Sequence, residues 1–243
     1  MRIGVISDVH ANLEALDAVL AHLDRQAPDL LVCLGDFVGY GPDPNACIER
    51  LLPRLRAAVV GNHDQAAVGA RSIEDFNLYA QAAIAWTQRA LVEASRAYLQ
   101  DLPLSLEIEG LLLVHGSPRQ PTDEYILDTR TARASLTAHA FRVALVGHTH
   151  QPAVFEESKR RTSAKGLLPE VPLALDPTRR YIVNVGSVGQ PRDGDPRAAY
   201  VILDPGAATA TLFRVSYPIE QTQRKMEEAG LPVPLIERLA LGR

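Results

Sequence analysis

Lysine is almost absent from this chain. It occurs only at positions 159, 165 and 225, and the one short basic run is Lys159-Arg160-Arg161. The formal net charge over 243 residues is −4. Such a chain lacks the broad positive footprint that duplex nucleic acid or an anionic membrane surface requires. A nucleotide substrate stays compatible, because bound metal ions can supply positive charge locally. Cysteine is scarce as well. Cys33 lies in an apolar run and Cys47 in a helical pattern, which reads as two reduced structural thiols and not a disulfide. No apolar stretch reaches the roughly 18 residues of a membrane span. The first apolar run, 3–6, leads straight into Ser7-Asp8-Val9-His10 and lacks the form of a signal peptide. Internal repeats and low-complexity tracts are missing too. What remains is a soluble, cytoplasmic, globular protein, expected to form one domain over residues 1–243.

What is present is rhythm. Apolar runs at 3–6, 30–34, 57–60 and 143–146 read as buried strands, and leucines at 13, 16, 20 and 23 recur at helical spacing behind Asn12, a plausible N-cap. Asp43-Pro44 opens a second helix, expected to run to about Leu52. Residues 74–100 hold no Gly or Pro and predict one or two helices, and the wider segment 65–100 is a candidate helical cap over the site. A hairpin is expected over 104–114 and a helix over 129–140. After residue 150, β signals dominate at 153–156, 181–185, 199–203 and 209–216. Between the first two of these, 157–179 reads as a mobile surface loop or excursion. The end, 218–243, is a helical tail broken by Pro232 and Pro234. The pattern predicts an α/β fold with two packed sheets.

Five polar clusters each follow a strand-like run: Asp8-Val9-His10, Gly35-Asp36, Gly61-Asn62-His63-Asp64, His115-Gly116 and Gly147-His148-Thr149-His150. Loops at the carboxyl ends of strands are where α/β sheets build ligand sites. Five of the seven histidines sit in these clusters, while His22 and His139 fall in helical patterns. A lone Gly-Asp is an ordinary turn, and a lone strand-end His is usually a satisfied core residue. The ordered set is far more specific. Its donors are carboxylate, amide oxygen and imidazole without thiolate, which suits Mn, Fe or Zn in a non-structural site.

The same residues, in order and spacing, resemble the calcineurin-like metallophosphoesterases, and Asn184 to Arg192 looks like the Gly-Ser loop of the compact prokaryotic phosphodiesterase branch. That resemblance implies a four-layer αββα sandwich of two mixed β-sheets flanked by helices. It implies two divalent metal ions: Asp8, His10 and His150 on one, Asn62, His115 and His148 on the other, and Asp36 bridging. It gives His63 the role of protonating the leaving oxygen or stabilising charge at the scissile phosphate, with Asp64 orienting His63. The implied reaction is in-line attack on phosphorus by a metal-activated water.

One departure narrows the branch. Metal-dependent protein Ser/Thr phosphatases carry Gly-Asp-x-x-Asp-Arg-Gly, whereas this chain reads Gly35-Asp36-Phe37-Val38-Gly39-Tyr40-Gly41, without the second Asp and the Arg. The expected substrate is therefore a small phosphodiester or nucleotide. The alternatives are a phosphoanhydride such as a dinucleoside polyphosphate, a phosphomonoester or phosphoprotein, or a non-catalytic metal-binding scaffold. Tyr40 is either part of a rigid turn or a rim ring that stacks on a base or sugar, and Arg192 either a surface residue or a fork on the non-scissile phosphate. Exposed sheet edges make a homodimer an expectation.

Overall fold

The computed structural model describes residues 1–159 and 161–243, so Arg160 of the short basic run lies outside the described residues. Two mixed six-stranded sheets pack face to face. The first is built from β1 (Ile3–Ile6), β2 (Leu30–Cys33), β3 (Ala57–Ala58), β9 (Leu173–Ala174), β11 (Ala198–Asp204) and β12 (Thr209–Val215), in the order β3-β2-β1-β11-β12-β9. The second contains β4 (Ser105–Ile108), β5 (Leu111–Val114), β6 (Val143–Val146), β7 (Ala153–Ser158), β8 (Arg161–Lys165) and β10 (Arg180–Asn184), in the order β4-β5-β6-β10-β7-β8.

Successive side chains of a strand face opposite ways, so each of these buried strands feeds two cores. Ile3, Val5, Val32, Leu34, Val143 and Leu145 meet between the sheets. Ile6, Leu31 and Cys33 turn outward onto α1 (Leu13–Gln26) and α2 (Pro44–Leu51). Ala144 and Val146 turn outward onto Ala132 and Leu136 of α6 (Thr129–Ala138). This double burial is why the strands are unbroken apolar runs, and it yields the four-layer αββα sandwich. Asn12 caps α1 as expected, its side chain accepting from the Ala15 N–H. Asp43 flanks α2 but makes no side-chain cap; its carboxylate pairs with Lys225 instead.

Several expectations need correction. The 157–179 stretch holds β8, β9 and their pairings. β8 is an edge strand with mostly exposed side chains, so no apolar alternation announces it. The third strand stops at Ala58, because the Val60 N–H leaves the sheet to donate to Pro103. The Gly61-Asn62-His63-Asp64 cluster, expected to follow a strand, also opens a helix that the sequence pattern did not announce, α3 (Asn62–Ala67). Beyond it come a short 3-10 turn (Ile73–Asp75), α4 (Leu78–Ala90) and α5 (Glu93–Gln100). The tail forms α7 (Ile219–Glu228) and α8 (Val233–Leu241), which pack with Tyr40, Ala80 and Ala83 into a separate apolar cluster. Among the described residues, no helix is long and apolar enough to cross a membrane.

Candidate metal centre and its cavity

β1, β2 and β3 are parallel in one sheet, and β5, β6 and β10 are parallel in the other. Their carboxyl ends carry all five polar clusters to one place, the region where such sheets bind ligands. The loops there are forced. Asp8, His10, Asp36, His148 and His150 all take left-handed backbone angles, with φ between 49° and 63°. Residues without glycine's freedom hold such angles only when the surroundings over-determine them, as happens at functional sites. Two glycines allow the close approach: a Cβ at Gly61 would overlap Asp36 Oδ1, and one at Gly147 would overlap Ser7 Oγ.

The loop after β10 fastens the two sheets at this edge. Val188 and Gly189 donate their N–H groups to the Ser7 and Asp8 carbonyls at 3.0 and 2.9 Å, and the Ser187 hydroxyl donates to the Asp8 carbonyl at 2.9 Å. Asn184 donates to the Gly147 carbonyl at 2.6 Å and to Thr149 Oγ1 at 2.9 Å. In turn, the His148 N–H donates to Asp8 Oδ2 at 3.0 Å.

Seven side chains converge in two groups. In the first, His150 Nε2 lies 3.1 Å from Asp8 Oδ1 and 3.1 Å from His10 Nε2. In the second, His115 Nε2 lies 3.1 Å from both Asn62 Oδ1 and His148 Nδ1. Asp36 Oδ2 joins them, 3.6 Å from His10 Nε2 and 3.3 Å from His115 Nε2.

The proton count shows what belongs between them. A carbonyl only accepts, so each imidazole nitrogen that meets one must carry the hydrogen. His10 Nδ1 meets the Val38 carbonyl at 3.1 Å, His115 Nδ1 that of Leu34 at 2.8 Å, His150 Nδ1 that of Gln190 at 2.5 Å, and His148 Nε2 that of Asp123 at 3.3 Å. When the rings are neutral, their four other nitrogens are bare lone pairs, aimed at one another and at carboxylate and amide oxygens. Asp8 Oδ1 is buried with no hydrogen-bond donor. Lone pairs facing lone pairs in a dry site repel, and a cation removes the conflict. These residues fit divalent metal ions, and the carbonyls are the outer partners that orient such ligands.

Ionisation agrees. Burial would raise Asp8 and Asp36, but His150 beside the first and His115 beside the second hold both well below the usual carboxylate range. Burial also lowers His10, His150 and His148, the last to about 3, keeping their rings neutral for coordination. His115 is opposed by burial yet carried up to about 9 by Asp36, so it is the ring that holds a proton when no cation is there.

His63 adjoins this cluster. Its backbone N–H donates to Asp36 Oδ1 at 2.9 Å, and its ring lies 4.9 Å from that of His10 and 4.3 Å from that of Tyr40. The expected bond from Asp64 is not made. Asp64 spends its oxygens on the N–H groups of Val38 and Gly61, each at 3.1 Å, while His63 Nδ1 is buried without a partner. Asp64 thus fixes the first turn of α3 and not the imidazole. Burial, with Asp36 opposing, lowers His63 to about 4. Burial and then Asp36 push Asp64 up to about 8.

A cavity of about 280 Å³ opens over Asn62, His63 and His148. Arg71, Phe76 and Asn77 wall one side, Asp123 and Tyr125 a second, and Arg192 and Arg238 a third. Tyr125 stacks on the His148 ring at 3.8 Å. Tyr40 lines the cavity but is only 6% exposed. Its ring is taken up by His10, His63, Arg192 and Arg238, so it does not offer an open face to a base. Arg192 lines the cavity and is not a detached surface residue. Arg238, Arg71 and Tyr125 escape sequence reasoning, because only tertiary packing brings them here; an arginine on an otherwise apolar face of the tail helix was the one available signal. A larger hollow of about 540 Å³ near Asp29 and Arg54 contains none of the donor residues.

Two six-stranded sheets with paired nitrogen and oxygen donors at their shared edge describe a metallophosphoesterase with candidate metal-binding residues in place. The chain belongs to the calcineurin-like phosphoesterase superfamily, whose domain profile matches residues 1–207. It is similar to an uncharacterized protein of Methanocaldococcus jannaschii, 38% identical over 246 residues that span 99% of this chain and 98% of that protein. A solved metallophosphoesterase from Sphaerobacter thermophilus is 42% identical, with a TM-score of 0.89 over 100% of this chain and 99% of that one. A hypothetical protein from Pyrococcus horikoshii OT3, 22% identical, shares the fold with a TM-score of 0.80 over 100% and 98% of the two chains.

Proposed function

We propose that this protein uses two divalent transition-metal ions to hydrolyse a small phosphodiester or nucleotide. The observation that carries the reading is the single oxygen, Asp36 Oδ2, placed against both donor groups. Asp8, His10 and His150 would hold one ion, Asn62, His115 and His148 the other, and Asp36 both. When bound, such ions supply charge that polarises phosphoryl oxygens and lowers the pKa of coordinated water.

The remaining work falls to the chain. His63 stands beside Asp36 at the floor of the cavity and is neutral before substrate arrives. An anionic phosphate beside it favours its protonated form, so binding readies it to pass a proton to the departing oxygen. Water adds to phosphorus, the ester oxygen leaves with that proton, and a diester yields a monoester and an alcohol. Tyr125 holds the His148 ring in place, and Arg192 faces the cavity as a phosphate contact. Manganese-loaded protein is expected to hydrolyse bis(p-nitrophenyl) phosphate, with chelator abolishing turnover. No turnover with Mn, Fe, Co, Ni or Zn would defeat the reading, and monoester turnover far above diester turnover would move the class to phosphomonoesterase.

A further inference from the structure

The wall formed by Arg192 and Arg238 is unlike the rest of the cavity. Arg71 faces Asp75 at 3.4 Å and also pairs with Asp123, so its charge is answered. Among the described residues, Arg192 and Arg238 make no ion pair. Their guanidiniums sit over the same Tyr40 ring, at 5.6 and 4.6 Å from its centroid, and both donate to one acceptor, Gln190 Oε1. Nε of each arginine is buried with no hydrogen-bond partner, and so is Gln190 Nε2.

Two like charges held together, with buried donors unused, are an arrangement without its counter-charge. Burial, then Arg192, then Tyr40 set the Arg238 pKa, lowered to about 10, so it remains charged at neutral pH. The placement is built in. Leu235, Ile236 and Leu239 anchor α8 in the cluster with Tyr40 and α4, and the Gly194 N–H donates to the Gly242 carbonyl at 3.0 Å just past the helix end. Gln190 also ties this wall to the floor, since its carbonyl accepts from the metal-facing His150. The His10 ring and the Arg238 guanidinium lie on one tyrosine, each 4.6 Å from its centroid.

We propose that Arg192 and Arg238 form a subsite for a second phosphoryl group, so that the substrate carries a phosphate attached to the one being cleaved, as nucleoside diphosphates and their esters do. This rests on the reading of the floor as the hydrolytic centre. A planar guanidinium fork matches phosphate oxygens two at a time, and two forks around one acceptor match a group of charge near −2. A single-phosphate diester would leave the wall uncompensated. Arg192 lies within residues 1–207, which the superfamily profile matches, and Arg238 beyond them, so the tail helix completes the subsite.

Calorimetric titration of the manganese-saturated protein with AMP and with ADP tests it. ADP is expected to bind at least tenfold more tightly than AMP, and the ratio to fall below twofold in Arg192→Met and in Arg238→Met. Equal affinities in the unaltered protein would overturn the proposal with no variant needed, as would a ratio that survives both substitutions. Arg238→Lys, which keeps the charge and the aliphatic stem, covers the case in which Met disturbs α8; it is expected to retain part of the ADP preference. Loss of all phosphoester turnover with the ADP preference intact would count against the hydrolytic reading and leave the subsite standing.

Discussion

The floor and the wall of one cavity are built on opposite plans. On the floor, each clustered imidazole spends one nitrogen on a main-chain carbonyl and turns the other toward the neighbouring donors. On the wall, guanidinium N–H groups are left bare instead. One surface gathers donors for cations and the other donors for an anion. On the reading proposed above, a small phosphorylated molecule carried on metal ions would complete both, dividing recognition into a part that sets metal geometry and a part that selects what the metals meet.

The largest test of that division is Asp36→Ala. Both donor groups lose their shared oxygen, so turnover is expected to fall about 10³-fold, the scale for losing a key electrostatic group. Metal analysis is expected to show fewer than two ions per chain; two retained ions would break the assignment of the floor. His63→Ala should lower turnover of a poor leaving group by about 10²-fold or more while two ions stay bound. A fall in metal content would instead make His63 a metal ligand. Gly147→Ala, which presses on Ser7 and Asp8, should weaken metal affinity about 10- to 100-fold, measured by competition with a fluorescent chelator. Arg192→Met should raise KM roughly tenfold with kcat little changed, the mark of a lost charged hydrogen bond on the wall.

Acid should act on the floor and not on the arginine wall. Burial is the first cause that lowers His63, to about 4, and His148, to about 3, from an ordinary 6.5. Depressed histidines contribute stability that is full above about 6.5 and is lost as pH falls toward about 3. For His63 alone this is about 3 kcal/mol. The metal-free protein's melting temperature should therefore drop through that window, and a flat profile would contradict the buried neutral rings. The smallest effect is expected from Asp64→Asn. It should cost about 1 kcal/mol of stability as a weakened cap and leave the pH–rate profile in place, because Asp64 does not touch the His63 ring.

Legibility followed burial. β1, β2 and β6 could be read directly, because strands covered on both faces must be apolar throughout. β8 could not, since an edge strand with exposed side chains carries no apolar signature. α3 was hidden for another reason: its opening residues are selected for chemistry, and Asn62, His63 and Asp64 show no helical periodicity. The metal donors were readable because their order along the chain follows the strand order. The wall was only half readable. Arg192 follows a recognisable Gly-Ser loop, whereas Arg238 arrives from a helix whose docking no local pattern records. The outer partners of the histidines were unreadable in principle, as every residue offers a carbonyl.

That last point sets what mutation can reach. The acceptors behind the four imidazoles belong to the backbone of Leu34, Val38, Asp123 and Gln190, and no side-chain replacement deletes a carbonyl. Ring orientation and tautomer are thereby insulated from drift at those four positions, provided the chain keeps its path. The arginines of the wall have no such protection. On the proposed reading, a lineage carrying this fold could exchange them and change the molecule it accepts, while the donor cluster on the floor would be inherited almost unaltered.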